Sequence, residues 1–203
     1  DTGGEIAQFE FMVSSLERIG VSAVIIEDKV FPKRNSLDAS ASQELEDPDR
    51  FAAKISAGKS ATVSPDFMII SRLESLIAGH GVDDALRRAE IYINAGTDGI
   101  MIHSNKSQPD DLFKFVEKYE ALCNRLGKRP VLVGVPTTYN QYKEPELASL
   151  GFNIVIHANH QLRASYKAMQ ATAKLILESQ SSEEADASIA SVKEVFSVVG
   201  FDR

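Results

Sequence analysis

The chain has no tryptophan, one cysteine and only 7 prolines among its 203 residues. It also lacks the lysine and arginine clusters that phosphate backbones need. Each absence removes a class of protein. Cys123 alone cannot build a disulfide framework or a zinc cluster, and its place beside Leu122 and Leu126 in a helical pattern points to a reducing compartment. Few prolines, with 43% hydrophobic and 25% charged residues, exclude a disordered chain. A net charge of −7 makes nucleic acid an unsuitable partner. No apolar run approaches the roughly 18 residues that would span a bilayer, and no signal-like segment precedes Asp1. A cytoplasmic protein with no membrane partner is therefore expected. The sequence opens at Asp1-Thr2-Gly3-Gly4, without methionine and inside a turn signal, which predicts further sequence upstream.

What is present is a regular alternation. Ile6, Phe9, Val13, Leu16 and Ile19 recur at helical spacing up to Gly20, and Ala23-Val24-Ile25-Ile26 follows as a buried strand ending at Glu27. The cycle repeats: a short helix over Pro48 to Ile55, then a strand from Asp66 to Arg72. Helix Val82 to Ala95, closed by Gly96, precedes strand Asp98 to His103. Pro109 suits a first helical position, and the helix it opens runs to Gly127 before strand Pro130 to Val135. A short helix from Glu144 to Leu150 leads to strand Phe152 to His157. Two amphipathic helices, near His160 to Glu178 and Ser188 to Val199, end the pattern.

Strands alternating with helices predict a parallel sheet, either doubly wound or closed into a barrel. The polar residues decide between them: Glu27, Arg72, His103, Thr137 and Asn159 all fall at or just past a strand's C-terminal end. A (β/α)8 TIM-type barrel collects its site there from every strand, whereas a doubly wound sheet favours one switch point. The fold class is thus α/β, a barrel forming a single domain over residues 1–203. Five visible strands cannot close an eight-stranded barrel, so the first three strands are expected to be missing from this sequence.

One long polar segment stands out within that frame. It runs from Glu27-Asp28-Lys29 through Phe31-Pro32-Lys33-Arg34-Asn35-Ser36 to about Pro48, and loops of such length in compact domains are usually functional or disordered. A carboxylate at a strand end followed by a loop bearing Lys33, Asn35 and Ser36 is the layout of an active-site lid. Each residue also has a plainer explanation. Glu27 could pair with Lys29, Arg72 could be a surface arginine, His103 could be a satisfied structural histidine, and the loop could be merely solvated. His80, between Gly79 and Gly81, fits a backbone turn better than a phosphate cradle.

The residues carry a resemblance beyond the pattern. Asp1-Thr2-Gly3, Glu27-Asp28-Lys29 with Phe31-Pro32-Lys33 and Asn35-Ser36, Arg72-Leu73-Glu74 and His103-Ser104 resemble the phosphoenolpyruvate mutase branch of the isocitrate lyase superfamily. Val135-Pro136-Thr137-Thr138-Tyr139, Ala158-Asn159-His160 with Leu162-Arg163-Ala164, and Ser191-Val192-Lys193-Glu194 extend it along nearly the whole chain. The resemblance implies that the visible strands are the fourth to the eighth of the family's barrel. It further implies Mg²⁺-dependent interconversion of phosphoenolpyruvate and phosphonopyruvate, the first step of phosphonate biosynthesis.

On that resemblance Asp1 and Glu27 are outer-shell metal carboxylates acting through water, the direct metal aspartate falling before Asp1. Lys33, Asn35, Arg72 and His103 are catalytic, and Ser36 binds substrate. A loose phosphoryl-transfer transition state needs charge stabilisation and positioning, which a guanidinium, an imidazole and an amide supply. Lyase members resemble Lys-Arg/Lys-Cys-Gly-His at the loop, where this chain has no cysteine, so carbon–carbon cleavage is disfavoured. Related phosphonopyruvate hydrolases resemble this loop but carry threonine at Asn35, which favours the mutase. Phosphonopyruvate hydrolase remains an alternative, as does a catalytically silent barrel used for binding or assembly. The sequence departs from the family at Asp1-Thr2-Gly3-Gly4-Glu5, where the pattern is usually Asp-Thr-Gly-Tyr-Gly, with one residue fewer before Glu27. Family members exchange their last barrel helix between subunits, and the stripes Leu162, Met169, Ala173, Ile176 and Ile189, Val192, Phe196 are compatible with a homodimer or homotetramer of that kind.

Overall fold

A computed structural model of the chain describes residues 1–38 and 40–201. Contacts group the chain into two compact units, Asp1–His157 and Ala158–Arg203. The first is a β/α repeat: α1 (Ile6–Arg18), β1 (Ala23–Glu27), α2 (Pro48–Ala61), β2 (Met68–Leu73), α3 (Gly81–Ala95), β3 (Gly99–Ile102), α4 (Asp110–Leu126), β4 (Val131–Gly134), α5 (Glu144–Ser149) and β5 (Ile154–Val155). The second holds α6 (His160–Ser179), a 3-10 turn at Glu183–Ser188 that the pattern does not foretell, and α7 (Val192–Val198).

All five strands are parallel and lie in the order β1-β2-β3-β4-β5. That order has no reversal, so among the described residues the sheet has no switch point; it is the consecutive arc of a (β/α)8 barrel and not a doubly wound sheet. The register sets which side chains meet at the sheet edge. Glu27 stands opposite Arg72, and Leu73 stands opposite Ile102, so His103 leaves the sheet one step beyond.

Packing explains the helical layer. Phe9 and Val13 of α1, Phe51 and Ile55 of α2, Ala89, Tyr92 and Ile93 of α3, and Phe115 and Leu122 of α4 are buried against Ile26, Ile69 and Ile100 of the strands. Side chains at helical spacing face one way, which gives each helix one apolar side. Asp47 starts α2 by accepting hydrogen bonds from the N–H groups of Asp49 and Arg50, both at 3.0 Å, with Pro48 at the first helical position. The helix then runs past Ile55 to Ala61. Gly58 explains how it sits so close: a Cβ there would meet Phe9 and come within 2.8 Å of Ile69 Cδ1.

Cys123 is buried on α4, where burial raises its thiol pKa. His80 lies in the expected turn, between Gly79 and Gly81, both with positive φ. Among the described residues no helix is long and apolar enough to cross a membrane.

Candidate active site

Parallel strands deliver their C-terminal residues to one edge of the sheet, and five of the singled-out side chains meet there. Glu27 ends β1 and is 1% exposed, beneath Lys33 of the loop and beside Arg72. Arg72 Nε lies 3.5 Å from Glu27 Oε2, and Lys33 Nζ lies 3.1 Å from Glu27 Oε1. The second contact is an ion-pair distance without hydrogen-bond geometry, so the buried Oε1 accepts no hydrogen bond. Lys29 does not pair with Glu27. It turns instead to Glu74, 3.1 Å from Oε2.

Arg72 is a bridge. Its Nε donates to Glu74 Oε1, while Nη2 donates to Ser36 Oγ at 3.1 Å and lies 2.8 Å from His103 Nδ1. His103 Nδ1 is also 2.8 Å from Glu74 Oε1. Arg72 and His103 are therefore held by a common carboxylate, with Ser36 of the loop drawn into the same cluster. Ser36 is buried, and its hydroxyl donates to Glu74 Oε2 at 2.6 Å while accepting from Lys29 Nζ at 2.6 Å. With Arg72 as a second donor, its one proton and two lone pairs are all used. In this arrangement the Ser36 hydroxyl fastens the loop and has no bond left for a ligand.

Electrostatics follow from that geometry. Burial alone would raise the Glu74 pKa, but the hydrogen bond and charge of His103, the charge of Arg72 and the Ser36 hydroxyl outweigh it and hold the carboxyl well below its usual range. Behind it, Asp28 accepts from the Glu74 N–H at 2.9 Å, from Tyr92 Oη at 2.8 Å and from Arg88 Nη1 at 3.2 Å. Burial nevertheless pushes Asp28 up to about 6.

Asn35 stands apart. It is exposed, and its Oδ1 accepts from the Leu37 N–H at 2.9 Å, a local turn that holds the loop rather than the cluster. Asp1 is joined to the site through its backbone, its carbonyl accepting from the Glu27 N–H at 3.0 Å, while its side chain is exposed. For a hard cation such as Mg²⁺ the donor chemistry fits an outer shell: two carboxylate residues on adjoining backbone, one with an unsatisfied buried oxygen. Among the described residues no group of three His, Cys, Asp or Glu side chains is placed to hold a metal directly.

Glu74, Asp28 and Lys29 are the site residues that sequence reasoning assigns no catalytic part. A signal for Glu74 exists: it follows Arg72 by two residues, the strand period that puts both side chains on the same face.

Charged side chains gathered at the C-terminal ends of consecutive parallel strands mark the edge where a (β/α)8-type barrel builds its site. The family can be stated more closely. The family model described as phosphoenolpyruvate phosphomutase matches residues 1–177, and the chain belongs to that family. It is 39% identical over 203 residues to a phosphoenolpyruvate phosphomutase of Tetrahymena pyriformis, covering all of this chain and 65% of the relative. Among solved structures, a phosphoenolpyruvate phosphomutase from Streptomyces platensis subsp. rosaceus is 38% identical with a TM-score of 0.92, over 100% of this chain and 68% of that one. A phosphonopyruvate hydrolase in complex with oxalate and Mg²⁺ is 36% identical with a TM-score of 0.88, over 100% of this chain and 67% of that one. The chain thus spans about two thirds of the length of the relatives it matches.

Proposed function

We propose that this chain carries the phosphoryl-transfer site of a phosphoenolpyruvate mutase, an isomerase that interconverts phosphoenolpyruvate and phosphonopyruvate. The observation that carries this reading is the meeting of Arg72, His103 and the loop residues Lys33 and Ser36 beside Glu27 at one sheet edge. In the reaction the bond between phosphorus and the methylene carbon breaks, a bond between phosphorus and the enol oxygen forms, and no water enters the products. A metaphosphate-like group passing between the two atoms needs cations and hydrogen-bond donors around its oxygens, with water kept out. Arg72 offers a planar fork, His103 a ring nitrogen opposite the one bonded to Glu74, and Lys33 a charge on the covering loop. Asn35 would turn its side chain inward when substrate binds.

Asp1 and Glu27 would hold Mg²⁺ through water, and the similarity to a hydrolase solved with oxalate and Mg²⁺ supports that cofactor. The ion would supply charge against the substrate's oxygens. In this reading residues 1–203 belong to one barrel domain of a cytoplasmic enzyme of phosphonate biosynthesis. The exposed apolar residues Leu162, Met169, Val192 and Phe196 on α6 and α7 support pairing of copies as a homodimer or homotetramer.

A second reading rests on the same relatives. Phosphonopyruvate hydrolase is as similar to this chain as the mutases are, and would give pyruvate and phosphate. A coupled assay separates the two: phosphonopyruvate is supplied with Mg²⁺, lactate dehydrogenase and NADH, with or without pyruvate kinase and ADP. A mutase consumes NADH only when pyruvate kinase and ADP are present. Consumption without them identifies the hydrolase, and none in either case supports a silent barrel.

A further inference from the structure

Glu74 is fully buried, and its two oxygens face two different parts of the site. Oε1 accepts from Arg72 Nε and lies 2.8 Å from His103 Nδ1. Oε2 accepts from Ser36 Oγ at 2.6 Å and pairs with Lys29 Nζ at 3.1 Å. The backbone of Glu74 is fixed from behind, its N–H donating to Asp28 Oδ1. The carboxylate has little freedom to follow either side.

On the loop side, Ser36 cannot leave without breaking hydrogen bonds to a carboxylate, an ammonium and a guanidinium at once. Lys29 Nζ, which is itself paired to Glu74, also donates to the Arg34 carbonyl at 3.1 Å. Residues 34 and 36 are therefore tied down by contacts that end on Glu74, on either side of Asn35 and next to Lys33. On the strand side, His103 Nδ1 sits 2.8 Å from both Arg72 Nη2 and Glu74 Oε1. It cannot accept from the guanidinium and donate to the carboxylate together. Arg72 Nη2 already has Ser36 as an acceptor, and a buried carboxylate is the stronger claimant for a ring proton.

We propose that Glu74 is a positioning residue that couples the loop to the phosphoryl-binding pair: one oxygen orients Arg72 and keeps a proton on His103 Nδ1, while the other fastens Ser36. The inference deepens the phosphomutase reading and takes the roles of Arg72 and His103 from it. With Nδ1–H committed to Glu74, Nε2 donates to a phosphoryl oxygen when the ring carries both protons, a cation that Glu74 balances. Loss of Glu74 would then loosen the loop and redirect the imidazole in one step.

Two readouts on the full-length protein test this without turnover. Trypsin cleavage after Lys33 and Arg34, followed by mass spectrometry, reports the loop, with cleavage at the exposed Lys114 and Lys118 of α4 as the control for global unfolding. Long-range proton–nitrogen NMR, assigned with His103→Asn, reports which ring nitrogen is protonated. Glu74→Gln is expected to raise loop cleavage about tenfold or more over the α4 control and to move His103 Nδ1 out of the protonated range. Ser36→Ala is expected to raise loop cleavage and leave the His103 signal in place. It tests the loop arm by itself if Glu74→Gln does not fold, and the wild-type ring spectrum tests the other arm. Loop cleavage unchanged in Ser36→Ala, or an unprotonated His103 Nδ1 in the wild type, overturns the proposal. An inactive protein that shows both expected effects would refute the phosphomutase reading and leave the coupling intact.

Discussion

Lys33 and Glu27 form an ion pair at the mouth of β1, with the carboxylate buried, the ammonium one-third exposed and 3.1 Å between Nζ and Oε1. The loop's cation therefore sits against the carboxylate expected to face Mg²⁺, and the two cations compete for one oxygen. Lys33→Ala is predicted to tighten Mg²⁺ binding in the absence of substrate by up to about fivefold, the equivalent of ~1 kcal/mol for a partly exposed pair. The same change is predicted to lower kcat by roughly 100-fold, because a charge over the transferring group is lost. Titration calorimetry with Mg²⁺ and steady-state kinetics measure the two effects separately.

Arg72 serves Glu74, Ser36 and His103 from different atoms of one guanidinium. A lysine has one point charge and cannot span these positions. Arg72→Lys is predicted to reduce kcat/KM by about 100-fold or more while keeping the fold, with near-wild-type circular dichroism as the control.

Tyr92 lies beneath the site, fully buried, donating to Asp28 Oδ2 at 2.8 Å and accepting from Arg88 Nη1 at 3.0 Å. Tyr92→Phe removes a hydrogen bond to a buried charge and is predicted to destabilise the protein by about 1.5–3 kcal/mol. Urea denaturation should show a lower midpoint with an unchanged slope.

Acid sensitivity should divide between two carboxylates of opposite sign. Glu74 has a depressed pKa, so its contribution to stability is present above the unfolded value of 4.5 and is lost as pH falls toward the folded value. Asp28 is raised to about 6, so the stability linked to its proton is complete below 3.8 and lost as pH rises through about 6. Glu74→Gln is predicted to flatten the loss of stability below pH 4.5, and Asp28→Asn to flatten the change between about pH 4 and 6. Thermal melts across that range read both slopes.

Much of this arrangement is legible in the sequence, and the exceptions have physical causes. The run Gly99-Ile100-Met101-Ile102 declares a buried parallel strand because both faces must be apolar, whereas in Ala23-Val24-Ile25-Ile26, also read as buried, only Ile26 is buried and the others are half-buried. The polar residue that ends each run, Glu27 or His103, then falls at the functional edge of the barrel. The end of α2 is harder to read: Lys54, Ser56, Gly58 and Ser60 interrupt the apolar pattern, and Gly58 is small because Phe9 and Ile69 crowd it. Lys29 illustrates a different limit. Two residues after Glu27, it could serve either carboxylate, and its pairing with Glu74 depends on β2 lying beside β1. Asn35 is set by loop conformation, which no periodicity encodes; here its side chain bonds to Leu37 and is exposed.

Phosphorus NMR of the full-length protein with phosphonopyruvate and Mg²⁺ tests the phosphoryl-transfer claim most directly. The prediction is a phosphoenolpyruvate signal that grows without inorganic phosphate, disappears with chelator and is strongly reduced in Arg72→Lys. Inorganic phosphate as the product would contradict the mutase in favour of the hydrolase, and an unchanged phosphonopyruvate signal would contradict both.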